Sequence, residues 1–372
     1  MYRPAVSHTI YRKVFSAGAA LLFLSDVCHG QQEVTTCEEL LAAFELTKTQ
    51  DVDVQISPAA DIECATYTNF TMTSNTLNVS SSEDMSTFGA TTQLRRVRFE
   101  VTNGAKLFWE THVLFDAVEG EDDQLNDGGA VYVGEDSTVR FYNDVQMRDI
   151  SIVNERDEDS DYASFVRSGG CVWTNGYFRI DGVAILTRCH ISGAGESPPG
   201  PGGAVYVGEK GSVLFNVGVA ITETSITDDS GGKGGAIYNL GKVIIKGNSR
   251  FEELSASDGG AIYNGENAIF NFRNGATAMF RDVSNNDADG SALFNIGFFE
   301  FSGPAVFVDA APPAIFATDG SETILSEDSA FFNLGYPGET EYPDDEAIAL
   351  SDSAVITIPS SVIFVGVTGP DL

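Results

Sequence analysis

Basic residues are scarce in this sequence. It carries 21 Lys and Arg against 54 Asp and Glu in 372 residues, a net charge of −33. A surface of that sign repels nucleic acid, anionic lipid and polyanionic substrates unless cations bridge the contact, so no nucleic-acid partner is expected. Repulsion among its own carboxylates is tolerable in saline surroundings, where the Debye length is about 8 Å or less. Calcium is a cation that would suit such a surface, although composition names none. Long apolar runs are also missing: no segment approaches the twenty or so residues that a helix needs to cross a bilayer. Helical periodicity is absent beyond the first fifty residues. The four histidines and two tryptophans leave little imidazole for catalysis.

The start of the chain reads as an address. Arg3, Arg12 and Lys13 form a basic region, Val14–Leu24 (VFSAGAALLFL) an apolar one, and Cys28 and Gly30 put small residues at −3 and −1 of a cleavage site. Residues 1–30 are therefore expected to be a secretory signal and the mature protein extracellular or attached at a cell surface. Loss of Arg3, Arg12, Lys13 and Asp26 removes a net +2, taking −33 to −35. Of the five cysteines, Cys28 leaves with the signal, and Cys37, Cys64, Cys171 and Cys189 remain. An even number in an exported chain favours disulfides, for which four cysteines allow three connectivities; the two local pairs, Cys37–Cys64 and Cys171–Cys189, are the expected ones. Asn69-Phe-Thr71 and Asn78-Val-Ser80 are glycosylation sequons.

What the sequence has in quantity is a repeated phrase. It reads GGAVYVG from Gly128, GGCVWTNG from Gly169, GGAVYVG from Gly202, GGAIYNLG from Gly234, GGAIYNG from Gly259, GSALFNIG from Gly290 and SAFFNLG from Ser329. Spacings of roughly 25 to 41 residues are the mark of a solenoid. Each phrase is followed by two short alternating runs separated by Gly, Asn and Ser turns, as in KVIIK, GNS and RFEEL after the fourth copy. Three short strands per repeat, with no crossover helix, predict an all-β fold: one right-handed parallel β-helix over residues 51–372. Ten or eleven coils stacked at about 4.8 Å would make a rod of roughly 50 Å. Residues 31–50 hold the one helical pattern. Thr36 and Glu39 form a capping box, and Cys37, Leu40, Leu41 and Phe44 share a face, so this helix should plug the N-terminal opening and cover the first coil's edge.

Stacking repeats one requirement at every coil. The paired glycines allow a corner where a Cβ would collide or φ must be positive. Val131, Val172, Val205, Ile237, Ile262, Leu293 and Phe331 should form an apolar stack. Asn239, Asn264, Asn295 and Asn333 should form an amide ladder.

The GGA(I/V)(Y/F) phrase resembles the repeats of polymorphic outer-membrane proteins and, more broadly, right-handed β-helices of the pectin-lyase-like superfamily. The resemblance covers about residues 90–372. It departs in that the companion FxxN appears as Phe251-Glu-Glu-Leu254 and Phe280-Arg-Asp-Val283. No C-terminal membrane barrel is recognisable, so autotransport is not expected. Superfamily members often act on polysaccharides, which makes a lyase, epimerase or hydrolase the alternative function.

That alternative finds few residues. His112 and His190 sit in strand-like runs, and no catalytic set is assigned. Asp127, Asp258 and Asp289 precede glycine corners, with Asp228, Asp229 and Asp328 nearby. Turn chemistry accounts for Asp before Gly, and a calcium site at these three is the sharper alternative. Lys233, Arg250 and Arg281 are the nearest bases, with nothing in the sequence to pair them with the acids.

The leading expectation is a non-enzymatic module of binding, adhesion or structure. Its candidate surface is the file Tyr132, Trp173, Tyr206, Tyr238, Tyr263, Phe294 and Phe332, whose parity is opposite to the aliphatic positions and which would face outward to a polysaccharide or an extracellular protein. A Cys171–Cys189 bridge across the interior would favour the opposite orientation. The acidic or Pro/Gly-rich stretches 154–168, 193–203 and 336–353 are candidate recognition loops.

Overall fold

The computed structural model of the chain describes residues 32–57, 59–82, 91–116, 129–154, 168–193, 200–227, 232–334, 347–351 and 353–365. The expected signal lies outside them. Ile237–Asn239, Lys242–Ile245 and Ser249–Asp258 form three sides of one coil, and Ile262–Asn264, Ile269–Phe272 and Ala278–Asp289 lie directly above them in parallel register. Every strand pairing among the described residues is parallel and follows this rule, giving a parallel β-helix with a twelve-stranded sheet along one side. The other two sides merge into a nineteen-stranded sheet, because the long strands run through the bend between them. No helix of the described residues is long and apolar enough to cross a membrane.

The N-terminal end is closed as the capping box implies. Helix α1 (Cys37–Leu46) begins at Thr36, whose Oγ1 accepts from the Glu39 amide at 3.2 Å while Glu39 Oε2 accepts from the Thr36 amide at 3.1 Å. Leu40 and Phe44 are buried, and Phe44 packs on Phe70 and Phe99 with ring centroids 5.2 and 5.3 Å apart. The Cys37–Cys64 disulfide ties the helix to the strand Asp61–Met72. The first strand is Gln32–Val34, paired with Val52–Ile56 ahead of the run at which the sequence pattern begins.

The two glycines of each corner meet different needs. The first of the pair carries the positive φ: +69° at Gly169, +79° at Gly202, +68° at Gly234, +59° at Gly259 and +67° at Gly290. The second has no such φ but lies under the next coil. A Cβ on Gly235 would sit 2.1 Å from the carbonyl oxygen of Gly260, and one on Gly203 would sit 2.0 Å from that of Gly235. In the sixth copy Ser291 takes the second place, and the segment above it is Pro313-Ala314, to whose Pro313 carbonyl the Ser291 amide donates.

Inward side chains stack as the pattern requires, with one correction. Val131, Val172, Val205, Ile237, Ile262 and Leu293 follow one another, but the next members are Ile315 and Ile348 rather than Phe331. Phe331 stands in a different inward file, between Phe307 and Phe364 at 4.6 and 4.9 Å. The segment Ala314–Gly320 (AIFATDG) holds the seventh place on the phrase face without paired glycines or Asn, so the more exact match, SAFFNLG, falls on another side. Asn333 is consequently exposed, at φ +50°, and outside the ladder.

The ladder itself has three amides. Asn239 Nδ2 donates to Asn264 Oδ1 at 2.7 Å, Asn264 Nδ2 to Asn295 Oδ1 at 2.8 Å, and Asn295 Nδ2 to Thr323 Oγ1 at 2.9 Å. The Asn239 and Asn295 oxygens also accept from the amides of Gly241 and Gly297, holding the turn that leads to the next strand. All three side chains are fully buried. Asn264→Leu keeps the volume but leaves Asn239 and Asn295 each one bond short. Since an orphaned buried polar group costs about 1–3 kcal/mol, a loss of about 3 kcal/mol is expected in urea unfolding.

Candidate binding face

Strands such as Ile237–Asn239 are three residues long, with the outer two side chains buried and the middle one turned outward. This places Tyr132, Trp173, Tyr206, Tyr238, Tyr263 and Phe294 one above another. Successive ring centroids are 4.3, 5.7, 5.5, 4.7 and 5.1 Å apart and the planes lie within 10° of parallel. Phe316 continues the file at 5.2 Å. Tyr132 to Tyr238 are half-buried; Tyr263 and Phe294 are more enclosed, at 6% and 8% exposure. Burial raises the Tyr238 and Tyr263 phenols above their ordinary pKa, so both stay neutral at physiological pH.

Phe332, assigned to the file from sequence, is not in it. It pairs with Val308 and Val365 on another side, for the same reason that Phe331 leaves the aliphatic stack. The disulfide argument about orientation also fails. Cys171 and Cys189 are bonded and fully buried, Cα atoms 5.5 Å apart, yet the rings face outward. Cys171 precedes the strand Val172–Thr174 and lies in the glycine corner, where strand alternation does not hold.

The stacking limits what the face can do. Each ring from Trp173 to Phe294 presents both faces to its neighbours, so none of these faces is free for a sugar ring to lie on. The edges form a narrow apolar band interrupted by phenolic hydroxyls, suited to an extended ligand along the rod. Trp173 reports on it, because the other tryptophan, Trp109, is fully buried with its indole N–H bonded to Thr111. Acrylamide should quench part of the wild-type emission, and Trp173→Phe should remove the quenchable part. Equal protection of both indoles would contradict an outward file.

Cations flank the file. The Arg98 guanidinium lies 5.5 Å from the Tyr132 centroid, and Lys233 Nζ lies 4.9 Å from that of Tyr263. Lys233 also meets Asp258 at 3.0 Å. The backbone register sets Asp258 beside Asp289, but Asp127, Asp228, Asp229 and the Asp289 side chain lie outside the described residues. The expectation that nothing pairs Lys233, Arg250 and Arg281 with the corner aspartates is corrected for Lys233, which meets Asp258; the two arginines find a different acid. Arg250 and Arg281 both clamp the buried Glu252 carboxylate, Arg281 at 3.0 Å. Residues one coil apart in sequence become neighbours in space, a proximity that local sequence context does not reveal.

The histidines meet other partners. His112 Nδ1 lies 3.3 Å from Asp144 Oδ2, and His190 Nδ1 is 3.1 Å from Ser225 Oγ. Burial holds His190 below the usual imidazole pKa. Of the sequons, Asn69 is exposed, and Asn78 is half-buried with its Nδ2 donating to Asp53 at 2.6 Å.

Sequence reasoning missed a second corner. Arg96, Asp149, Arg188, Glu223, Glu253, Asp282, Asp309 and Asn333 each adopt a φ of +50° to +57° at the bend between the two merged sides. Register aligns the residues just before them. Toward the N-terminus this corner is neutralised: Arg188 bonds Asp149 and reaches Glu223 at 3.3 Å, and Arg148 meets Asp116 at 2.7 Å. From Glu223 to Asp309 the bend residues themselves, Glu223, Glu253, Asp282 and Asp309, are all carboxylates, with Arg281 beside Asp282 at 3.6 Å. The available signal was a charged or polar residue recurring mid-strand at the repeat spacing. No family model, curated protein or solved structure matches the chain, so the resemblance to β-helical families rests on the repeated phrase and the coil geometry.

Proposed function

We propose that this is an extracellular or cell-surface β-helix that acts as a binding, adhesion or structural module and not as an enzyme. The observation that carries the reading is where the titratable groups go. Lys233 is bonded to Asp258, Arg250 and Arg281 to Glu252, His112 lies against Asp144, and His190 against Ser225, on separate parts of the rod. A polysaccharide lyase or hydrolase needs an acid and a base converging on one bond, whereas these groups are taken up in contacts within a strand, as Arg250 with Glu252, or between neighbouring coils, as the other pairs. The two disulfides fit an oxidising compartment. The half-exposed ring edges favour an elongated ligand, a polysaccharide or an extracellular protein, lying parallel to the axis.

The test is a panel of acidic and neutral polysaccharides, incubated with the protein with and without calcium. Retention on an immobilised glycan without release of shorter or unsaturated products supports the reading, and turnover of any member overturns it.

A further inference from the structure

The two ends of the rod are finished differently. Helix α1 and the strand Gln32–Val34 close the first. At the other, Ile348–Leu350, Val355–Thr357 and Ile363–Val365 each pair with the coil beneath and with no second strand among the described residues. Leu350, Val355, Ile363 and Val365 are 47%, 55%, 50% and 48% exposed. Ile348, Ile356 and Phe364, which top the inward files, are only partly covered. Natural sheets protect such an edge with charge, bulges or a covering element, whereas Ala347–Val365 contains one charged residue, Asp352.

The surroundings of that edge have one sign. Arg281 is the last basic residue, and every charged side chain from Asp282 to Leu372 is a carboxylate. In the coils just below the edge Asp309, Asp319, Glu322, Glu327 and Asp328 are exposed. A second copy fits poorly. At its capped end α1 lies against Asp61–Met72 and only the three-residue Gln32–Val34 presents a free edge to meet three open strands, and its open end would bring the same carboxylates against these.

We propose that the C-terminal end is a docking edge for a cationic polypeptide strand. The partner's backbone would continue the ladder beyond the last coil, its alternate apolar side chains would cover Leu350, Ile356 and Phe364, and its Lys or Arg residues would meet the exposed carboxylates. The inference names the partner of the non-catalytic module proposed above. Its test involves no sugar, so either reading can fail alone.

The experiment uses the whole secreted chain, confirmed monomeric by sedimentation, and the fluorescently labelled peptides KVKVKVKV and KVKPKPKV. Charge is matched in the two, but proline removes amide donors and cannot pair as a central strand. KVKVKVKV should bind at least tenfold more tightly, and weaken as salt rises. It should also slow amide exchange at Ile363–Val365, the strand that the variant alters. The variant Ile363→Lys with Val365→Lys, at outward positions that should leave the melting temperature unchanged, should lose binding at least tenfold. Equal binding of the two peptides, undiminished binding by the variant, or edge protection that appears with protein concentration and no peptide overturns the proposal.

Discussion

Gly235→Ala should destabilise the protein by more than about 4 kcal/mol, enough to leave little folded chain at 37 °C if total stability is in the usual range of about 5–15 kcal/mol. The cause is steric. The added methyl would lie 2.1 Å from the carbonyl oxygen of Gly260 and 2.7 Å from that of Ser255, both main-chain atoms of adjoining coil structure that cannot rotate away. Gly104→Ala is the control, at φ +80° with nothing within 4 Å of the new methyl. It should cost only the left-handed backbone term, about 1 kcal/mol. Urea unfolding followed by far-UV circular dichroism separates the two. A loss at Gly235 as small as that at Gly104 would mean that the coil spacing tolerates a Cβ there.

These two substitutions also mark how far the sequence could be read. Paired glycines, three strands per repeat and the Thr36/Glu39 box lead directly to coil, corner and cap, because each is a local rule repeated in every coil. Which copy belongs to which side is not local. SAFFNLG matches the phrase better than AIFATDG, yet Ile315 and Ala317 are the residues that meet Leu293 and Asn295. Register is set by what lies beneath, and a slip moves a whole set of side chains to the wrong place. The charged bend from Arg96 to Asn333 stayed hidden because left-handed backbone is associated with Gly and Asn, whereas here stacking imposes it on Arg, Glu and Asp. The aromatic file was visible as a pattern. That its rings spend their faces on one another, which decides what they can bind, depends on the roughly 5 Å coil spacing and on ring orientation.

Phe280→Ala should cost about 3–5 kcal/mol, the usual range for deleting a buried phenyl ring, and the loss should be unevenly distributed. Phe280 is fully buried, stacked 4.9 Å from both Phe251 and Phe307 and edge-on to Phe301 at 6.2 Å, so the cavity would open between consecutive coils. In a solenoid each coil touches only its neighbours, and stability is close to a sum of coil and interface contributions. Weakening one interface therefore divides the rod. The part beyond it has no disulfide, since both bridges lie before residue 190, and its last described strands form the open apolar edge. Thermal unfolding should change from one transition to two. Amide protection should be lost first at Ala305–Val308 and Ala330–Phe332, while Val205–Val207 stays protected. Phe280→Leu, which refills most of the volume, should restore most of the stability and a single transition. A uniform loss of protection along the chain would mean that the β-helix unfolds as one unit, with the capped and uncapped halves held together by more than nearest-neighbour contacts.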